Sequence, residues 1–479
     1  MNYATSITER DSTGRTRETL IENNGETQRT DAATHQEGHS TGRRYVVDLM
    51  TSMFLPSGYP NTVSPDYLRY QILNALQAFC NSLASLISSR AILQGFGVGD
   101  PTATPTKALL LTVLQDFFSR LTTIVSAYAI GSSLYPEAKM YRLLADILND
   151  TAVILDTLSP LFNTLPIPGL RVASLCISAV FKSLCGICAG GSKAAITMHF
   201  ATPLQGKGDI GDLNAKDASK ETVLALFGML LGTLIVPYLS TPWSTYTALF
   251  VLVGLHLAIN YFGVRGLVLR SLNRQRLTLL WTHYRLSDTR AVESPSTTAH
   301  REHVFDSFGI IRDAHSGAAL GHCSIGSSLS QIVQAPIPSA VLDLFTQERF
   351  VIWFDASCLS PAKSDKDHSH LHGLPRIHVC FKEGYTSEDE LKGWVHAVET
   401  CRVACRSDQP QVNAGVLPTL QAAHDIVNSS FLDFKSKLEG ASWNTTECAL
   451  LSGSPSAVLH AVTNHRDEKA INLESKKSR

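Results

Sequence analysis

Three pairs of ionisable residues stand at helical spacing inside stretches that are otherwise apolar. Asp116 and Arg120 are four apart, as are Arg142 and Asp146, and then Asp146 and Asp150. On a helix such pairs share one face. Asn149 and Lys182 add an amide and an amine in the same register of the chain. In a membrane segment such groups face the bundle interior and mark a path for a substrate or a proton. The competing reading is ion pairs that only fix helix packing, with Lys182 as partner to one of the acids.

The other chemical motifs are weaker. Cys185 and Cys188 form a CxxC inside an apolar run with no second pair, so zinc or redox chemistry is not expected. His368, His370 and His372 alternate beside Asp365 and Asp367 in a polar stretch that reads as a solvated loop. Gly95, Gly97 and Gly99 follow a helix where a dinucleotide loop needs a strand, and Gly190-Gly191-Ser192-Lys193 lacks the spacing of a P-loop. There is no G-x-S-x-G, no H-E-x-x-H and no Cys/His arrangement for nucleophilic catalysis. The expectation is a protein that is not an enzyme and holds no cofactor.

The elements around the charged pairs point to a membrane. Thr222–Tyr238 and Tyr246–Phe262, with their connector Leu239–Thr245, carry no Asp, Glu, Lys or Arg. Each run, with its flanks, is long enough to cross a hydrocarbon core of roughly 30 Å. Gly228 and Gly232, and Gly186 and Gly190, are pairs of small residues that let helices approach closely. Four further helices are expected, over about Pro65–Leu93, Thr106–Ile130, Lys139–Leu158 and Arg171–Ala189, with Ser64 as N-cap of the first. The segment Gly191–Glu221 reads as a polar loop.

Loop charges are asymmetric in the way an even number of spans with cytosolic termini requires. Arg43, Arg44, Lys139, Arg142, Lys193, Lys207, Lys216, Lys220, Arg265, Arg270, Arg274 and Arg276 fall on one side; Arg90, Lys107 and Arg171 fall on the other. Tyr238, Trp243 and Tyr246 form an aromatic belt at the outer interface. The alternative is a soluble helical bundle with only the last hairpin inserted.

With 17% charged residues, the 479-residue chain is poorer in charge than ordinary soluble proteins. A net charge of −1 argues against a nucleic-acid partner. The ten cysteines show no disulfide framework. Residues 1–44 are polar and read as a disordered tail, and 45–285 as the helical membrane domain. A linker at 286–301 leads to a small cytosolic α+β domain at 302–462 and a charged tail at 463–479. Within that domain Phe350–Phe354 and Ile377–Phe381 read as strands. Helices are expected over about Ser387–Cys401, opened by a Ser387/Glu390 capping box, and over Leu417–Leu438. The fold class is thus mainly α. The expected partners are membrane lipid, a small solute at the charged helix faces, and another copy or relative in an oligomer.

Several stretches taken together resemble the root UV-B sensitive (RUS) family, also called the vitamin B6 photo-protection and homoeostasis family. They are Phe54–Gln71, the GFGVGD turn, Lys139–Ala152, Asp212–Glu221 and His256–Arg276. The resemblance covers about Tyr45 to Arg290, and more loosely Val379–Ala397 and Gly440–Trp443. This chain has Phe117 where members often have Gly, which removes a close helix contact from the expectation. It has Tyr141 where they often have Trp, and Ala218-Ser219-Lys220-Glu221 where they often have Gly-Ser-Gln-Glu. The resemblance implies links to UV-B tolerance, auxin transport and vitamin B6 homoeostasis in plants, and no particular reaction. It leaves open a solute-handling protein, a membrane-anchored scaffold acting through its C-terminal domain, and a role in pyridoxal phosphate homoeostasis.

Overall fold

The computed structural model describes the backbone at 5–10, 16–23 and 26–31, and residues 49–96, 105–204, 206–239, 241–329, 338–355, 374–406 and 416–460. The alternating histidines near 370, the glycine turn after Phe96 and the charged tail lie outside the described residues. The chain divides at Leu267/Val268 into two compact units, with Tyr135–Glu137 joining the second.

Near the N-terminus β1 (Thr5–Arg10), β2 (Thr16–Asn23) and β3 (Glu26–Asp31) pair as an antiparallel meander. Composition predicts no order here. Ile7, Leu20 and Ile21 are the only large aliphatic residues in these strands, so backbone pairing leaves no hydrophobic signature.

Among the described residues the long helices of the first unit are α1 (Tyr67–Gly95), α2 (Pro105–Ile130), α3 (Ala138–Leu158), α4 (Leu170–Ala201), α5 (Ile210–Ile235) and α6 (Pro242–Arg265). α1 packs on α3 and α5, and α4 packs on both α3 and α5, so these four close a ring. α6 lies along α1 and α3, and α2 packs on α4. The segment Gly191–Glu221, expected as a loop, is mostly helix. α4 continues to Ala201, and α5 starts at Ile210 because the Asp209 carboxylate caps it, accepting from the amides of Gly211 and Asp212. Its polar residues find partners rather than solvent, which is why polarity misleads there: the Ser57 amide donates to Asp212 at 2.7 Å, and Lys220 donates to the Tyr67 hydroxyl at 2.9 Å.

Ser64 does not cap α1. Its hydroxyl donates to Asp66 at 2.6 Å, and Asp66 is in turn held by His199 at the end of α4. At the far end of α1, Arg90 donates to the carbonyls of Val236 and Leu239, closing the C-terminal end of α5.

Gly228 and Gly232 bring α5 close to α1. A Cβ at Gly228 would stand 2.9 Å from that of Ser82, and one at Gly232 would run into Leu86. Gly186 and Gly190 are different: a Cβ at either would meet nothing within 4 Å. They leave space rather than close it.

Helices α2, α4, α5 and α6 are long and apolar enough to cross a membrane. Their outer faces expose residues such as Leu110, Tyr128, Leu230 and Val251. Tyr238 and Trp243 are each 84% exposed at the α5–α6 turn. α1 and α3 do not reach that hydropathy, because their polar residues turn into the ring.

The second unit begins earlier than the sequence suggests. α7 (Arg274–Leu286), expected at the end of the helical domain, buries Leu277, Leu280, Trp281 and Tyr284 in the core of this unit. The expected linker is packed as well. It contains α8 (Pro295–Arg301), with Thr298 buried, and the Trp443 indole donates to the Glu293 carbonyl at 2.9 Å. Short strands β5 (Ile310–Arg312), β6 (Ala319–Ile325), β7 (Phe350–Asp355), β8 (Arg376–Lys382) and β10 (Val458–Leu459) form a mixed sheet. β8 is central, parallel to β6 and β10 and antiparallel to β7. A second, two-stranded sheet joins β4 (Ser271–Asn273) to β9 (Asn444–Ala449).

Helix α10 (Ser387–Arg406) lies on the larger sheet with α7 and α11 (Val416–Gly440) beside it; α9 (Ser339–Leu344) touches α11. α10 is capped one residue earlier than expected. Thr386 donates through both its amide and its hydroxyl to Asp389, at 2.8 and 2.7 Å. The Asp389 carboxylate makes the reciprocal half of a capping box with Thr386, and the acidic run Glu388-Asp389-Glu390 offers both registers.

Candidate functional site

Helices α1, α3, α4 and α5 border a partly open cavity of about 510 Å³. About half of its wall is polar although the helices around it are mostly apolar. α1 contributes Asn74, Gln77, Asn81, Ser82 and Ser85; α3 contributes Arg142 and Asp146; α4 Gly190 and Lys193; α5 Glu221; and α6 His256. The spacing explains the convergence. Asn74, Gln77 and Asn81 recur at three and four residues, which keeps them on one face of α1.

The α3 residues then divide among neighbouring helices. Arg142 donates through Nη2 to the Asn74 carbonyl oxygen at 3.0 Å. Asp146 accepts from the Asn260 side-chain amide of α6. Asn149 donates to Asn81 at 2.8 Å, and Asp150 meets His256 Nδ1 at 2.8 Å, both side chains being almost fully buried. Across the cavity Glu221 accepts from Asn74 and from Lys193, each at 3.1 Å. Five helices are thereby tied through one hydrogen-bonded layer, as buried polar groups require.

Arg142, Asp146, Asn149 and Asp150 thus stand together, as their spacing suggests, while three other candidates stand elsewhere. Asp116 and Arg120 bond each other at 3.1 Å on the outer face of α2, with side chains 63% and 79% exposed. The spacing that puts them on one face says nothing of which way that face turns. Lys182 pairs with the buried Asp156 between α4 and α3, away from the cavity wall. Phe117 is 59% exposed, so the helix contact that a glycine would permit is not made at that position. Gly190 borders the cavity, where its missing side chain keeps the space open.

Sequence reasoning missed Asn74, Gln77, Asn81, Lys193, Glu221, His256 and Asn260 as site residues. A signal was present for the last two: they are the imidazole and the amide, four apart, within the apolar run of α6. For Lys193 and Glu221 there was none, because both lie in the segment expected to be loop. Among the described residues no cluster of His, Cys, Asp and Glu is arranged to hold a metal ion.

The family model described as the vitamin B6 photo-protection and homoeostasis domain matches residues 40–288. The chain belongs to the RUS family. It is 35% identical to protein root UVB sensitive 3 of Arabidopsis thaliana over 347 residues, 72% of this chain and 73% of that protein. It is 34% identical to RUS family member 1 of Dictyostelium discoideum over 260 residues, 54% of this chain, and spans 48% of that relative's length. Protein root UVB sensitive 2, chloroplastic, of Arabidopsis thaliana is 24% identical over 84% of this chain and 83% of its own. No solved structure matches. Three of the stretches that carry the RUS resemblance contribute to the site: Lys139–Ala152 supplies Arg142, Asp146, Asn149 and Asp150, His256–Arg276 supplies His256 and Asn260, and Asp212–Glu221 supplies Glu221.

Proposed function

We propose that the helical unit is a multi-pass membrane domain of six spans that binds a small polar solute in the cavity and passes it across the bilayer, without a covalent reaction. The observation that carries this reading is a charge-lined cavity inside a ring of helices whose outer faces are apolar. Water would wet an ordinary soluble bundle on the outside, whereas this one keeps its polar groups within. α3 then crosses as an inner helix, and α1 crosses with its polar face to the cavity and Leu68, Ile72 and Leu76 to lipid. An even number of spans would set both termini on one side of the membrane, with lipid over the outer faces. The volume lies in the range of small-molecule pockets.

The family description adds vitamin B6 compounds to the solutes worth testing. In liposomes the purified protein is expected to take up at least one member of a panel of amino acids, carboxylates, sugars and vitamin B6 compounds with saturation. Ala78→Trp, which fills the cavity, abolishes that uptake, while Asp116→Asn and Arg120→Gln on the outer face of α2 leave it within about twofold. Uptake insensitive to Ala78→Trp, or none with any member, refutes the reading.

A second reading, a membrane-anchored scaffold, is favoured by one feature: the C-terminal unit has a large aromatic core of its own. It leaves the cavity without a role.

A further inference from the structure

Around the cavity the ionisable groups are of two kinds. Lys193 and Glu221 form an ion pair at 3.1 Å, and His256 and Asp150 stand 2.8 Å apart. Arg142 and Asp146 do otherwise. Each is held by a neutral amide, the first by Asn74 and the second by Asn260, and among the described residues neither makes an ion pair. The Arg142 Nε, buried, has no hydrogen-bond partner. The two residues are four apart on α3, a spacing at which arginine and aspartate readily pair, and both line the cavity. Amide partners fix these side chains, and Asp146 and Glu221 act on Arg142 through space rather than in contact. A buried charge held by a single neutral amide has bonding capacity left, which a ligand in the cavity can fill.

We infer, resting on the solute-handling reading above, that the cavity binds a small zwitterion, its carboxylate on the Arg142 guanidinium and its ammonium on Asp146. The planar guanidinium suits a carboxylate. The i,i+4 spacing sets cation and anion on the order of 6 Å apart at Cβ, a span that a molecule with both charged groups on one carbon can bridge. A solute with one charge leaves either Arg142 or Asp146 unmatched, and an uncharged one leaves both. The cavity therefore selects by rejecting partial matches, as sites with buried polar groups do.

The test uses purified full-length protein in liposomes. Saturable binding is measured for the zwitterionic α-amino acids and, for each, the acid lacking the amine and the amine lacking the carboxylate. At least one amino acid should bind ten times more tightly than both of its analogues. Arg142→Gln should weaken that amino acid and its acid analogue at least tenfold and leave the amine unchanged; Asp146→Asn should do the reverse. Saturable binding only of singly charged or uncharged solutes, or variants that lower acid and amine alike, overturns the assignment while solute handling stands. No saturable binding by any compound, including the wider panel, overturns both.

Discussion

A fragment beginning at Val268 folds on its own, and one beginning at Glu302 does not. The difference is α7. Leu277, Leu280, Trp281 and Tyr284 are each fully buried against the sheet and α11, with the Trp281 ring 5.0 Å from Phe434. Burying such a side chain is worth about 2–3 kcal/mol. Losing all of them removes about 10 kcal/mol, the size of a whole domain's stability. The shorter fragment also takes the Trp281 indole and Arg285 from the buried Glu399, which keeps only part of its bonding through Arg402. Circular dichroism and urea unfolding decide it: a cooperative transition is expected for the Val268 fragment only, and a cooperative transition in the Glu302 fragment would show that α7 is dispensable.

The same unit is expected to be acid-sensitive through His396. This side chain is fully buried, its ring 5.2 Å from Phe345 and 5.5 Å from His424, and its Nε2 has no hydrogen-bond partner. Burial, and then the neighbouring His424, push its pKa from the ordinary 6.5 down to about 3. Between those values the unfolded chain takes up a proton that the folded one refuses. Stability is therefore full above pH 6.5 and is lost as pH falls toward 3, by up to about 1.4 kcal/mol per pH unit. Glu390 works in the opposite direction. Burial, and then Asp389, raise it from 4.5 to about 7, so its contribution is full at low pH and is lost as pH rises through that window. Subtracting the unfolding profile of His396→Leu from that of the wild type isolates the histidine. The difference should grow steadily from pH 6.5 downward; a flat difference would mean that His396 protonates without cost.

The helices were legible because each is long and punctuated. Phe54–Asp66 leads into α1, whereas Pro242, which opens α6 behind the Thr241 cap, lies inside the expected connector. The strands β7 and β8 were legible from their β-branched and aromatic runs. What periodicity could not convey was orientation. Asp116/Arg120 and Arg142/Asp146 have the same spacing, yet one pair faces outward and the other lines a cavity, and only the contacts of α2 and α3 separate them. Nor could polarity distinguish a solvated loop from a helix whose polar residues are bonded, which hid Lys193 and Glu221. The domain border shifted for a related reason. Arg274-Gln275-Arg276 looks like a cytosolic flank of α6, but Arg276 is buried against Glu302 and opens the core of the second unit.

Thiol labelling in proteoliposomes tests most directly whether the cavity is wet while the outer helix faces meet lipid. A membrane-impermeant, hydrophilic thiol reagent is applied to Ser85→Cys, in the cavity wall, and to Leu230→Cys, 65% exposed on the outer face of α5, each read against the wild-type background. The account predicts rapid labelling of Ser85→Cys and none of Leu230→Cys above background. Labelling of Leu230→Cys as fast as that of Ser85→Cys, or no labelling of Ser85→Cys, would contradict it.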